Sequence, residues 1–252
     1  MNFRNNISRR PAIGSFLKIT DPAVAEIAGY NGMDFVIIDL EHGPANIQSA
    51  QNLIRAAEKA NVTPVIRVAK NEEKQILRAL DIGAKGIQVP GISSKKQTEK
   101  LVEYSYYNPK GSRGVCRYVR AAEYTNINKK EFFNRSNKDI FTVAHIEGKK
   151  GINNLDEILE VEELDVLFIG PYDLSQSMGI PGEIRSSKLI DKMEEVVEKC
   201  LENDKVVGTF AEEVDMARKW MKAGVNYLAY SVDVGLFAEK FTNLTKNLKK
   251  GL

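Results

Sequence analysis

Eight short runs rich in β-branched and aromatic residues recur along the chain, at residues 13–19, 34–40, 63–68, 85–90, 141–147, 165–170, 205–210 and 226–232. Several are apolar at consecutive positions, as in Phe35, Val36, Ile37 and Ile38. That is the pattern of parallel strands covered on both faces. The segments between them have helical periodicity: Ile47, Leu53, Ile54, Ala57 and Ala60 alternate with Gln51, Arg55, Glu58 and Lys59, giving one apolar and one solvated face. An open doubly wound sheet usually stops at five or six strands, so eight alternations predict a closed α/β fold, the (β/α)8 or TIM barrel. The 252 residues match what one such barrel needs. No Pro-, Gly- or Ser-rich linker divides them, so 1–252 is expected to be a single domain. Two stretches stand outside the repeat: an irregular excursion at 104–138, expected at the active site or a subunit interface, and a lysine-rich tail at 236–252, expected to be a terminal helix.

Charge and cysteine content narrow the function. Lys and Arg total 36 against 34 Asp and Glu, so no basic excess points to nucleic acid or to an acidic membrane surface. No window approaches the 18 apolar residues of a membrane span, and the N-terminus has no signal-peptide run. Cys116 and Cys200 stand 84 residues apart without metal-site spacing, which favours a reducing, cytoplasmic setting over a disulfide framework. No GxGxxG follows a strand, and GKKG at 148–151 lacks phosphate-loop spacing, so nucleotide and nicotinamide chemistry have no support.

In such a barrel, chemistry belongs to the C-terminal ends of the strands. Read in order, those ends carry Asp39, Glu41 and His42, then Arg67, Gln88, His145 and Glu147, and Asp173 after Gly170, Pro171 and Tyr172. Asp81 precedes the fourth strand. Glu147 and Asp173 belong to adjacent units, and two close carboxylates repel unless a cation separates them. An oxygen-only pair, completed by water and substrate, suits Mg²⁺ or Mn²⁺ better than zinc. The alternative is that one or both cap a helix or pair with Lys149 or Arg113. His42 is either a general base oriented by a neighbouring carboxylate or a structural hydrogen-bonding group. Arg67 suits an oxyanion or a carboxylate, or else a buried salt bridge to Asp39 or Glu41. Gly170 and Pro171 either let backbone approach a ligand closely or form an ordinary turn.

The segments DFVIIDLEHGP (34–44), TPVIRV, LDIGAKGIQVP (80–90), HIEG and LFIGPYDLSQSMG (167–179) resemble the HpcH/HpaI family of class II, metal-dependent 2-oxo acid aldolases. The resemblance covers about residues 10–245. It implies a barrel of the phosphoenolpyruvate/pyruvate type, commonly a homohexamer built as a trimer of dimers with exchanged C-terminal helices. It further implies a divalent cation (Mg²⁺, Mn²⁺ or Co²⁺) on Glu147 and Asp173, Arg67 on the keto oxygen, His42 as proton acceptor and Asp81 raising the basicity of that histidine. The reaction would cleave or form a 4-hydroxy-2-oxo acid, of the 2-keto-3-deoxy sugar acid type, to or from pyruvate and an aldehyde through a metal-stabilised enolate.

Three residues depart from the family pattern. His145 replaces a glutamine that contacts the substrate carboxyl, Tyr172 replaces a small residue, and Cys116 interrupts an RGxG loop. His145, Gly170, Pro171, Tyr172 and Arg67 are expected to touch substrate, with Asp39 and Glu41 in support. Two further readings share the same site: oxaloacetate decarboxylation or another pyruvate-enolate lyase reaction, and a non-catalytic 2-oxo acid binding homologue.

Overall fold

The structure is a computed structural model that describes residues 3–250; residues 1, 2, 251 and 252 of the expected 1–252 domain lie outside them. All eight expected strands form: β1 (Ala12–Leu17), β2 (Phe35–Asp39), β3 (Thr63–Arg67), β4 (Gly86–Val89), β5 (Phe141–Ile146), β6 (Val166–Ile169), β7 (Val206–Ala211) and β8 (Tyr227–Val232). Each pairs in parallel with the next, and β8 returns to β1, so the barrel is closed.

Closure explains why these strands are apolar on both faces. Inward residues Phe35, Ile37, Val65, Phe141, Val143, Val166, Phe168 and Tyr227 fill the barrel, where Phe35 stacks on Tyr227 with centroids 4.1 Å apart. Outward residues such as Val36, Ile38, Ile66, Ile87 and Leu167 meet the helices instead. The helix Ile47–Lys59 is typical of that layer: it buries Ala50, Leu53, Ile54, Ala56 and Ala57, and Asn46 with Ser49 form a reciprocal capping box at its start. Full burial of Leu53 and Ile54 stabilises the fold by about 1.5–3 kcal/mol each, more than the ~1 kcal/mol typical of such a cap.

At the N-terminal end of the strands a short helix, Phe3–Ile7, closes the barrel, with Phe3 against Phe35 and Phe141 and Arg4 bonded to Asp165 at 2.6 Å.

The 104–138 excursion is half helical, with a turn at Arg120–Thr125 and a helix at Lys129–Asp139. It leaves the C-terminal end of the helix Lys95–Ser105 and leads to the start of β5, so in one chain it sits at the end of the barrel opposite the strand C-termini. Arg120 reaches Glu58 and the Ile82 carbonyl there. The active-site placement expected for this excursion is therefore not made by its own chain.

The terminal helix runs Asp233–Lys249. It starts earlier than expected, directly after β8, and the Asp233 carboxylate in its first turn accepts the Val234 amide at 2.7 Å. Among the described residues no helix is long and apolar enough to cross a membrane.

Candidate active site

Above the apolar filling, the inward positions turn polar. Asp39, Arg67, Gln88 and His145 close β2, β3, β4 and β5, and all are buried. Arg67 lies in register with both Asp39 and Gln88, so these groups share one layer. Lys18, Arg67, His145, Gly170, Pro171, Tyr172 and Asp173 line a cavity of ≈150 Å³, whose apolar wall is Phe16, Phe168, Phe210 and Val232.

Arg67 grips Asp39 with two parallel bonds, Nε to Oδ1 at 2.9 Å and Nη2 to Oδ2 at 2.8 Å, and its Nη1 lies 3.1 Å from Glu41. Its guanidinium also stacks 4.7 Å over the Phe16 ring. The salt bridges open to it from sequence are thus both present, yet a guanidinium has five N–H groups, so donors remain for a ligand. Burial alone would raise the Asp39 carboxyl. The Arg67 bonds and charge, with the amides of His42 and Glu41, override that and hold it below the ordinary range. Glu41 moves the other way, because burial outweighs its attraction to Arg67 and His42.

Those two amides, donating to Asp39 Oδ1 at 3.1 and 3.2 Å, shape the turn that carries His42. The imidazole itself is largely exposed above the cavity, with Nε2 3.8 Å from Glu41 Oε2. Asp81 is not brought to it. That aspartate ends the helix Glu73–Asp81, at the opposite end of the barrel, and pairs with Arg113 at 2.7 Å.

Glu147 is mostly buried and accepts the Gly91 amide at 2.7 Å. Burial, reinforced by the charge of Asp173, pushes its carboxyl up to about 7. Asp173 stands in the first turn of the helix Pro171–Ser177 and makes no capping bond or salt bridge among the described residues. Among the described residues neither acid pairs with Lys149 or Arg113, and neither caps the helix that follows it. Among the described residues no cluster of three or more His, Cys, Asp or Glu is arranged to hold a metal ion. A pair completed by water and substrate contains fewer side chains than that.

His145 is enclosed, and burial followed by the charge of Arg67 lowers its imidazole to about 3. It is neutral, so the 3.1 Å approach of Nε2 to Glu147 is not an ion pair. Both ring nitrogens lack a hydrogen-bond partner, as do both side-chain polar atoms of Gln88. Unsatisfied buried groups each cost about 1–3 kcal/mol, and such orphans concentrate where a ligand or water completes them. Gly170 is required here because an added Cβ would collide with His145 Nε2. Tyr172 is partly exposed at the rim, its hydroxyl donating to Glu212 at 2.6 Å beside the Phe210 ring.

The HpcH/HpaI aldolase/citrate lyase profile matches residues 12–239. The chain belongs to the HpcH/HpaI aldolase/citrate lyase family. A hydroxypyruvate/pyruvate aldolase from Agrobacterium fabrum is 32% identical over 243 residues, covering 96% of this chain and 91% of that protein. A 2-keto-3-deoxy-L-rhamnonate aldolase from Escherichia coli strain K12 is 33% identical over 240 residues, covering 95% and 89%. Among solved structures, an HpcH/HpaI aldolase from Desulfitobacterium hafniense superposes with a TM-score of 0.93 at 27% identity, covering 99% of this chain and 97% of the other.

Sequence reasoning about this HpcH/HpaI member missed Lys18 and the aromatic wall. Phe16, Phe168 and Phe210 looked like core residues because an apolar side chain at the end of an inward face reads the same whether it fills the barrel or lines its mouth. Lys18 had a usable signal, a charge ending an apolar run.

Proposed function

We propose that this protein is a divalent-metal-dependent class II aldolase, joining and cleaving pyruvate and an aldehyde in a 4-hydroxy-2-oxo acid. The observation that carries the reading is the Glu147 and Asp173 pair: two carboxylates that repel each other, neither in a salt bridge to Lys or Arg among the described residues, beside a cavity lined by Arg67. An all-oxygen pair fits Mg²⁺ or Mn²⁺. Such a cation supplies the positive charge that makes a pyruvate enolate accessible at neutral pH.

The remaining roles belong to side chains. The free N–H groups of Arg67 stabilise negative charge on the keto oxygen, held rigid beforehand by Asp39. Neutral His145 offers one N–H to the substrate carboxylate. The backbone at Gly170, Pro171 and Tyr172 lies against the same group, with the Tyr172 and Asp173 amides as donors because proline has none. His42, through a water, takes the proton of the 4-hydroxyl in cleavage. Within one chain the carboxylate beside His42 is Glu41; Asp81 can serve His42 only across a contact between two copies.

Pyruvate release from a series of 4-hydroxy-2-oxo acids, with Mg²⁺, Mn²⁺ or Co²⁺ and then with chelator, tests the assignment. Turnover that survives chelation refutes it.

Cation affinity should depend on pH in a defined direction. Glu147 binds a cation only when ionised, and its carboxyl stays protonated up to about pH 7. Calorimetric Mn²⁺ affinity should therefore fall about tenfold for each pH unit below 7 and level off above it. A flat profile from pH 5 to 8 contradicts that.

Tyr172 and Phe210 narrow the mouth. Tyr172→Ala is expected to raise kcat/KM for long aldehydes over short ones by about tenfold, the low end for a pocket that gains several methylenes of room. Competition between glyceraldehyde and a six-carbon aldehyde measures this.

Exposed Val234, Phe237, Phe241, Leu244 and Leu248 form an apolar stripe along the terminal helix. That stripe supports exchange of this helix within a homo-oligomer, with the family's hexamer as the expected size. The unpaired Cys116 and Cys200 support a reducing, cytoplasmic setting.

A further inference from the structure

Lys18 lines the same cavity and has no part in the roles assigned above. It follows the last residue of β1, and its backbone is firmly held. The Lys18 amide donates to both oxygens of Asp233 at 3.0 Å, and the Ile19 amide donates to the same carboxylate at 2.8 Å. Asp233 is buried and also accepts the Val234 amide. One carboxylate thus ties the end of β1 to the turn after β8 and fixes where the lysine side chain starts.

The far end of that side chain is partly exposed and has one long ion-pair partner. Its Nζ lies 3.9 Å from Asp39 Oδ2, beyond hydrogen-bond length. Asp39 is already engaged by Arg67 and by two amides. Among the described residues the ammonium makes no hydrogen bond, although it has three donors, and the Phe16, Phe168, Phe210 and Val232 side chains that share its cavity offer no acceptor. The cavity therefore has two poles. Asp173 in the lining, with Glu147 behind it, attracts a cation on the β5 and β6 side, while Lys18 and Arg67 on the β1 and β3 side attract anions. With the pyruvate carboxylate assigned to His145 and the Tyr172 backbone, Lys18 is left for a second anionic group. A volume of ≈150 Å³ is well under the ~300–1,000 Å³ of pockets that hold drug-sized ligands, so that group belongs to a short molecule.

We propose that Lys18 determines specificity for the aldehyde partner, selecting a short acceptor that carries a carboxylate next to its carbonyl, of the glyoxylate type, over a neutral one. This rests on the aldolase reading. In the synthetic direction pyruvate loses one methyl proton and its C3 attacks the acceptor carbonyl carbon. The carbonyl π pair moves to oxygen, which takes up one proton, and the product is a 4-hydroxy-2-oxo dicarboxylate with no net oxidation. A salt bridge from Lys18 to the acceptor carboxylate places the carbonyl carbon and excludes acceptors that leave the ammonium unpaired.

The test compares glyoxylate with glycolaldehyde, which is the same size and neutral, as acceptors for pyruvate in the wild type, Lys18→Met and Lys18→Arg. Exchange of the pyruvate methyl protons with deuterated water is followed by NMR in parallel. Lys18→Met should lower kcat/KM for glyoxylate on the order of 10- to 100-fold, mostly through KM, leave glycolaldehyde within about twofold and leave methyl exchange unchanged. Lys18→Arg should recover most of the loss. Equal losses for both acceptors, no loss for glyoxylate, or wild-type exchange without consumption of glyoxylate overturns the assignment to Lys18. Absence of methyl exchange in the wild type with Mg²⁺ and with Mn²⁺ removes the aldolase reading, and this assignment with it.

Discussion

Glu147→Ala is expected to abolish measurable Mn²⁺ binding and to lower turnover by at least about 10³-fold. Cation charge stabilisation is worth several kcal/mol, and each 1.36 kcal/mol is a factor of ten. Glu147 is the more buried of the two acids and the one whose carboxyl Asp173 repels most clearly, so removing it leaves Asp173 alone and exposed on the first turn of its helix. A single exposed carboxylate does not hold a divalent cation against water. The contrast with His42→Ala makes the prediction specific. His42 is exposed and stands outside the cavity lining, so its loss should reduce turnover of 4-hydroxy-2-oxo acids by about 10²–10⁴-fold while Mn²⁺ affinity stays within about twofold. Calorimetry and steady-state kinetics on both variants decide it. Equal loss of metal in the two contradicts the assigned roles, and activity indifferent to His42→Ala favours decarboxylation of oxaloacetate, which needs no base at a 4-hydroxyl.

Arg67→Ala should cost about 3–5 kcal/mol of stability, the usual result of removing one partner from a buried ion pair. Asp39 is fully buried, and Arg67 supplies two of the four hydrogen bonds to its carboxylate. Without the guanidinium, burial dominates and the carboxylate must either be ionised without its partner or take up a proton. The sign of the pH dependence follows. In the wild type Asp39 is held below the ordinary carboxylate range, so its contribution is complete above about pH 4 and is lost as pH falls through its lowered value. The deficit of Arg67→Ala should therefore be full at pH 7 and shrink on acidification below pH 4. Urea denaturation followed by circular dichroism at pH 7 and pH 3.5 measures both values. An unchanged gap at the two pH values refutes the assignment to Asp39. Turnover should fall as well, because the keto oxygen loses its donor and the turn bearing His42 loses its anchor.

Much of this site was legible before any coordinates. The strands announced themselves because a parallel barrel strand is buried on both faces, and the polar residues that interrupt the apolar runs, Asp39, Arg67, His145 and Glu147, fall where inward positions leave the packed interior. Asp81 shows the limit of this method. The family resemblance suggested the active site, yet a helix between strands runs antiparallel to them, so a residue at its C-terminal end lies at the wrong end of the barrel to meet His42 in the same chain. The 104–138 excursion lies at that same end of its own chain.

The alternation of strand and helix, the eight strands of the barrel and the identity of the acids at the strand ends follow from local pattern alone, since period and polarity are properties of neighbouring residues. That Arg67 pairs with Asp39 and Glu41, that burial and Asp173 push the Glu147 carboxyl up, and that Lys18 lines the cavity came only from the tertiary structure. Each depends on distance and burial between residues that closure of the barrel brings together: Lys18 with Asp233 across the β1–β8 seam, and Glu147 with Asp173 across β5 and β6. Desolvation and Coulomb interaction act through space, and no spacing along the chain encodes them.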